Sequence, residues 1–496
     1  MKSKEKKDRH ISSKNNKCGY KCAAPSDFSG IVQNLVGLLT RYDFVVLFLL
    51  LFIAYNTVTG IGIISGDTVP ASFLPASILE NQNLNFDYNP SLVSNPDLSY
   101  AFPLINGHYV SLFPIVTPIL ITPVYGISYV ICNVFNIPLL PTGFLILAKT
   151  SASVIAALAG VFFYLVSKEL FSKKVALGVT CIFAFATSTW SISSQALWQH
   201  GTVELLLIFL IYLIVRNEKK EGSMNILLLG IVSGLFIFNR PPDSVLLIPV
   251  VFYILWYQRA KLIQYISGGL IGGLPFLYYN YSVFGNVFGG YNENIKFFVM
   301  STDFIKNFVG LLIAPNVGLF IFCPVLILSI VGFFKLLQVH NGKTEQVLLI
   351  FGPVLILQVL VYSFFSLWDS SAAYCYGPRF LTGFVPVLGF YTGFFLNNYF
   401  GTPQTTHTLG KKNIVLVVAG ILILVSVIIQ FIGVSYYLYY PDKTMSEERV
   451  WNWSDSIITG SYSYGSGNVT GIYVYTLPPL PPLFQYRFHP TSPGNS

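Results

Sequence analysis

Five ionisable residues stand out in a chain that has few of them: Asp67, Lys149, His200, Arg240 and Arg379. Only 10% of the 496 residues are charged and 53% are hydrophobic, so each such side chain beside an apolar run needs a reason. Ionisable groups near membrane depth are costly and usually face a cavity or a partner. One acid among several cations suits an anionic ligand whose charge is held while a nearby hydroxyl is deprotonated. Sugar transfer from a lipid phosphate has that chemistry. Arg holds a developing phosphate charge bidentately and Lys holds it as a point charge. A carboxylate across the anomeric carbon takes the acceptor proton. The donor arrives through the bilayer, and the chain carries no Gly-rich phosphate loop for a soluble nucleotide. Glycoside hydrolysis fits less well, because it wants paired carboxylates at the scissile bond; Glu80, Asp87 and Asp97 follow Asp67 without an obvious partner among them. Each residue alone also has a structural reading. Asp67 can solvate a helix end, Lys149 and Arg240 can snorkel to headgroups, and His200 can be an interfacial hydrogen-bonding residue.

The elements that must position these residues are membrane helices. A span needs about 20 apolar residues, and the candidates are Phe44–Ile64, Phe144–Val166, Val175–Trp190, Val203–Val215, Ile226–Phe238, Val245–Tyr257, Ile266–Tyr281, Val317–Leu337, Val347–Phe365, Phe380–Leu396 and Ile414–Tyr436. Pro114–Phe135 is apolar too, but Pro114, Pro118 and Pro123 break helices, so it reads as a re-entrant or interfacial segment. With that choice the basic clusters fall at every second loop: the tail from Lys2 to Arg41, Lys168-Lys173-Lys174, Arg216-Lys219-Lys220, Arg259-Lys261, Lys335-Lys343 and Lys411-Lys412. The positive-inside rule then predicts about eleven spans, with the N-terminus cytoplasmic and the C-terminus outside. No Lys or Arg occurs from Tyr42 to Ala148, which puts a long first outer loop at 66–143. Loops of that length are usually functional. Asp67, Lys149, His200, Arg240 and Arg379 all fall on the outer side in this topology.

The net charge of +8 is a topology signal and does not point to nucleic acid. Cys132, Cys181 and Cys323 lie in apolar runs and read as small core residues. Cys18 and Cys22 lack the usual two-residue metal spacing. No cleaved signal peptide is expected. The organisation predicted is a basic cytoplasmic tail at 1–43, a transmembrane catalytic domain at 44–440, and a small extracytoplasmic segment at 441–496, expected to be β-rich.

The order of motifs resembles the GT-C superfamily of polytopic glycosyltransferases, especially its protein O-mannosyltransferase and aminoarabinose-transferase branch. The residues that carry it are Ser65-Gly66-Asp67-Thr68-Val69-Pro70 with an amphipathic turn at Ser72–Leu79, Asn106-Gly107-His108-Tyr109 and the Pro-rich run. They continue with Trp198-Gln199-His200-Gly201, Arg240-Pro241, Tyr279-Asn280, Gly318-Leu319-Phe320 and Tyr376-Gly377-Pro378-Arg379-Phe380. They extend from Asp67 to about Phe380. The resemblance implies an all-α GT-C-like membrane fold with juxtamembrane helices in the first outer loop. It implies Asp67 as base and Lys149, Arg240 and Arg379 as ligands of the lipid phosphate, with His200, Tyr109 and Tyr376 completing the substrate site. The chain departs from the pattern where Thr68 replaces the Glu of an Asp-Glu pair and where Trp198-Gln199-His200 stands in place of an acid. No Asp-X-Asp pair occurs, so neither a metal nor any other cofactor is expected.

The function expected is that of an integral membrane glycosyltransferase. It would move a sugar from a polyprenyl-phosphate donor to a hydroxyl acceptor (lipid, glycan or protein) at the outer face of the cell membrane. The rival class is a transporter or flippase of envelope glycolipids, for which Gly268-Gly269 and Gly272-Gly273 would serve broken helices; no internal repeat supports it.

Overall fold

The computed structural model describes residues 42–57, 65–136, 141–299, 302–339, 342–372, 374–400, 409–437, 440 and 445–467. Cys18 and Cys22, most of the basic tail, and 468–496 lie outside these. The chain divides into residues 1–46 and 47–496. Of the first unit only the start of α1 (Asp43–Thr57) belongs to a described helix.

The second unit is nearly all helix. It contains α2 (Val69–Ala76), α3 (Val116–Val134), α4 (Pro141–Leu170), α5 (Lys173–Phe185), α6 (Gln199–Lys219), α7 (Ser223–Asn239) and α8 (Ile248–Tyr257). These are followed by α9 (Leu262–Phe284), α10 (Phe304–Ile313), α11 (Leu328–Val339), α12 (Lys343–Ser363), α13 (Val385–Phe400) and α14 (Leu409–Tyr436). Among the described residues, six helical stretches are long and apolar enough to cross a membrane, or seven if Pro241–Tyr257 and Arg259–Phe284, bent by 107°, form one span. The chain is an integral membrane protein. About eleven spans were expected; beside these stretches the described residues hold four shorter apolar helices, Asp43–Thr57, Ser223–Asn239, Phe304–Ile313 and Pro324–Val339. The expected run Val317–Leu337 is split at Pro324.

The Pro-rich run is one continuous helix, α3, as long as a span. The expected break does not occur, for a local reason. Pro118 lies in the first turn, where a backbone N–H has no intrahelical partner. Pro123 lies inside the helix and leaves Ile119 O without its usual N–H donor, yet the helix continues through it; one residue earlier, Thr122 Oγ1 donates to Pro118 O at 2.8 Å. In the Ser72–Leu79 turn, residues 72–77 are buried, polar and apolar alike, and Leu79 is exposed. The described part of the C-terminal segment is two short helices, Glu447–Val450 and Ile457–Gly467, where strands were expected. Cys323 is buried as expected, Cys132 is only partly so, and Cys181 is exposed on α5.

Two apolar clusters build the frame. The larger runs through α4–α8 and α11–α13, with Phe163 stacked between Phe183 and Phe390 at 4.5 and 4.3 Å between centroids. The smaller joins α2 to Phe86, Phe102, Val116, Tyr125 and Phe144. Tyr125 OH donates to Ser72 O at 2.7 Å, which pins α2 to α3. Helices α7 and α9 touch backbone to backbone through Gly230, Gly234, Gly268 and Gly272; a Cβ at Gly234 would come within 2.5 Å of Gly269 O. Small residues permit this approach where apolar burial gives helices in lipid no drive to associate.

Candidate active site

Asp67 owes its place to a tight local scaffold. The Ser65 side chain caps the 3-10 turn Gly66–Thr68 by accepting from Asp67 N at 3.3 Å. Thr68 Oγ1 donates to Ser65 O at 2.9 Å. Pro70 occupies the first turn of α2, where its missing N–H costs nothing. Asp67 is therefore held just ahead of a fully buried helix.

Proline also places both arginines. Arg240 follows α7 and precedes Pro241. Proline disfavours helical geometry in the residue before it, and Arg240 is extended at φ −154°, ψ 89°. Its side chain leaves the helix there. Arg379 follows Gly377-Pro378. Gly377 adopts φ +97°, and a Cβ on it would also lie 2.6 Å from the Phe322 ring. Glycine is required at that turn.

These residues meet in one cavity of about 210 Å³, lined by Asp67, Tyr100, Trp198, Gln199, His200, Arg240, Tyr291, Tyr362, Arg379 and Phe380, with further apolar residues. Drug-sized pockets span roughly 300–1,000 Å³, so this one is sized for a small polar group such as a single sugar ring. Arg379 Nη1 donates to Asp67 Oδ2 at 2.9 Å and Nη2 donates to Ser370 O at 3.0 Å. Its guanidinium lies 4.6 Å from the Trp198 ring centroid and 5.3 Å from that of Phe380, a stacking arrangement that suits Arg and not Lys. Tyr100 OH donates to the other carboxylate oxygen, Asp67 Oδ1, at 2.8 Å. Partial burial, followed by the Asp67 charge, raises the Tyr100 phenol above its ordinary range, so it remains a donor.

Arg240 is held differently. Its Nε lies 3.0 Å from Asp243 Oδ2, in a pair whose side chains are 7% and 2% exposed. Tyr362 OH accepts from Arg240 Nε at 3.1 Å and donates to Asp243 Oδ1 at 2.5 Å. Arg240 Nη1 donates to Tyr291 OH at 2.8 Å, which donates on to Gln199 Oε1 at 2.7 Å. A charge pair this enclosed needs its remaining groups hydrogen-bonded; the two tyrosines supply part of that, and Gln358 Nε2 donates to Asp243 Oδ1 at 3.0 Å, while Asp243 Oδ2 has only the Arg240 ion pair. His200 lies in the first turn of α6, buried, and its Nδ1 has no partner. The site thus has one partly exposed ion pair, one enclosed ion pair, and an imidazole nitrogen without a hydrogen-bond partner.

Three residues named from sequence lie elsewhere. Lys149 is buried on α4, where its Nζ donates to Tyr55 O at 2.9 Å and to Ser194 O. It does not line the cavity; it joins α1, α4 and the turn before α6. Lys149→Met is therefore expected to lose about 2–3 kcal/mol of stability through two unsatisfied carbonyls, with the donor KM unchanged in the protein that survives. Thermal unfolding in detergent, together with transfer kinetics, checks both parts. Tyr376 is buried between Phe322 and Tyr437, and its OH donates to Ile429 O at 2.9 Å. Its place is behind the turn that presents Arg379. Tyr109 belongs to the two-stranded hairpin β1 (Leu104–Ile105) and β2 (His108–Tyr109), where its N–H donates to Asp87 Oδ1 at 2.8 Å.

Sequence reasoning missed Tyr100, Asp243 and Glu204. Asp243 had a readable signal, three residues after Arg240 across a Pro-Pro pair. Tyr100 had none, being 33 residues from Asp67 in an irregular segment. Glu204 is fully buried four residues after His200, and its Oε1 accepts from Thr189 Oγ1 at 2.9 Å.

No protein-family model matches the chain, and no curated protein sequence matches it. Solved structures do. The oligosaccharyltransferase of Archaeoglobus fulgidus in its apo form aligns at TM-score 0.50 and 11% identity, over 83% of this chain and 57% of that one. ArnT from Cupriavidus metallidurans in the apo state aligns at TM-score 0.46 and 13% identity, over 88% of this chain and 75% of that one. The chain thus spans little more than half the length of the archaeal enzyme. At this identity the likeness is one of fold alone, shared with the archaeal enzyme.

Proposed function

We propose that this chain is a membrane glycosyltransferase that moves a sugar from a polyprenyl-phosphate donor to a hydroxyl acceptor at the outer face of the membrane. The observation that carries this reading is the meeting of Asp67 and Arg379, 312 residues apart in sequence, at 2.9 Å in one cavity with Arg240 and His200. A carboxylate at the mouth and guanidinium groups within are the two charges the reaction needs. The acceptor O–H gives its proton to Asp67 while its oxygen attacks the anomeric carbon. The bond from that carbon to the phosphate oxygen breaks, and the electron pair leaves with the phosphate. Arg379 turns from Asp67 to the phosphate and neutralises the growing charge. Arg240, fixed by Asp243 and two tyrosines, holds the far side without reorganising. Base and leaving group act from opposite faces of the sugar, so configuration inverts.

In the resting structure base and cation touch, so the sugar must enter between them and part the pair. The test is transfer from radiolabelled polyprenyl-phosphate sugars to endogenous membrane acceptors, with chain-containing and chain-free membranes compared. Label in acceptors only when the chain is present supports the reading. Sugar donors that bind and cross the membrane without transfer would instead support a transporter.

A further inference from the structure

The Asp67 carboxylate has two partners of unequal kind. Oδ2 is held by Arg379, whose side chain is 8% exposed and stacked on Trp198. Oδ1 is held by Tyr100, whose side chain is 49% exposed and sits on the short 3-10 turn Ser99–Ala101. The Arg379 contact is buried and anchored by Ser370 O as well. The Tyr100 contact comes from a surface turn, with its hydroxyl also beside the Ser65 side chain. The phenol lies directly over Gly66: a Cβ there would collide with its hydroxyl. The sequence therefore leaves room at Gly66 for Tyr100 to cover the carboxylate.

We propose that Tyr100 is a removable cover of Asp67 whose phenolic hydroxyl occupies the position of the acceptor hydroxyl, so that an incoming acceptor must displace it before transfer. This rests on the reading of Asp67 as the base. Tyr100 presents to Oδ1 an O–H at 2.8 Å, the same group in the same relation that the acceptor must present for its proton to be taken. A carboxylate oxygen can accept two hydrogen bonds, so the competition is steric: the Tyr100 ring and hydroxyl stand over Gly66 on the side from which an acceptor would approach. Until an acceptor arrives, the cover holds Oδ1 and so hinders activation of a water at that oxygen and loss of the donor to hydrolysis. Tyr100 does not touch the reacting atoms once displaced; it is a positioning residue that sets how readily an acceptor engages.

Two variants open the cover by independent routes. Tyr100→Phe removes the hydrogen bond and keeps the ring. Gly66→Ala pushes the ring away, since the new methyl meets only the far end of that side chain. Each is compared with wild type on a labelled polyprenyl-monophosphate sugar that the wild type uses. The readouts are label transferred to a titrated acceptor-membrane extract and label released to water when no extract is added. A charge-assisted hydrogen bond at a half-exposed site corresponds to a modest competition. Both variants are expected to lower the half-saturating amount of acceptor extract by about three- to tenfold and to raise release to water. A lowered maximal rate with unchanged half-saturation and unchanged release would make Tyr100 a structural support and overturn the proposal. Wild type that transfers from no donor would remove the base assignment, and the cover with it; wild type that transfers while the variants leave half-saturation unmoved overturns the cover alone.

Discussion

Asp67→Asn is expected to reduce transfer by about 10²–10⁴-fold, the usual contribution of a positioned general base, with folding and membrane insertion intact. The amide is isosteric with the carboxylate. Its oxygen can still accept from Arg379, and its NH₂ can donate to the Tyr100 oxygen, so both contacts of the resting site have a substitute. What the amide cannot do is take the acceptor proton. It also leaves the Arg379 guanidinium without its counter-charge. Because the Asp67 side chain is 28% exposed, water relieves part of that cost, and the stability loss should stay near 1–2 kcal/mol. The measurement is label transfer at matched expression, with thermal unfolding as the control. Transfer by Asp67→Asn within a factor of two of wild type would remove Asp67 from the role of base.

How much of this was legible in the sequence depends on which physical signal each residue carried. Asp67, His200, Arg240 and Arg379 could be grouped because each sits at the end of an apolar run, and alternating basic loops put those ends on one side. The structure brings these four into one cavity. Lys149 shares their position at a helix end, but the direction of its side chain depends on which carbonyls lie nearby. Those belong to Tyr55 and Ser194, and no spacing rule brings them to α4. Tyr376 stands in a motif with Arg379, yet the motif acts through geometry: Tyr376 packs behind the turn, Gly377 supplies the positive φ, and Pro378 limits the approach. The continuity of α3 was misjudged because the proline rule was applied without regard to position in the helix. Tyr100 and Tyr291 come from irregular segments, where neither periodicity nor capping gives a register. These residues are the ones that set the state of the charged pairs. A reading of charges alone could name the ions of the site but not say that Arg240 is enclosed with Asp243 while Arg379 pairs with a carboxylate that is 28% exposed.

That difference between the two arginines makes the second large effect specific. Arg379→Ala is expected to reduce kcat/KM for donor by about 10²–10³-fold, the scale for removal of one preorganised donor from a developing anion. Most of the loss should appear in kcat, because phosphate charge grows as the glycosidic bond breaks. Arg379→Lys should recover little of it. Lysine keeps the charge, but it cannot bridge Asp67 and Ser370 O from one planar group or lie 4.6 Å over the Trp198 ring as a guanidinium does. Combining Arg379→Ala with Asp67→Asn should cost far less than the product of the two single losses, since both act in one step. Arg240 provides the contrast. Arg240→Ala strands the buried Asp243, and a buried pair broken from one side costs about 3–5 kcal/mol, so its main effect should be loss of folded protein. Initial rates across donor concentration, normalised to folded protein, separate these cases. An Arg379→Lys variant with half or more of wild-type kcat would mean that a bare positive charge suffices and that the stacked geometry has no part in transfer. An Arg379→Ala loss confined to KM would place Arg379 in donor binding alone and leave the departing phosphate to Arg240.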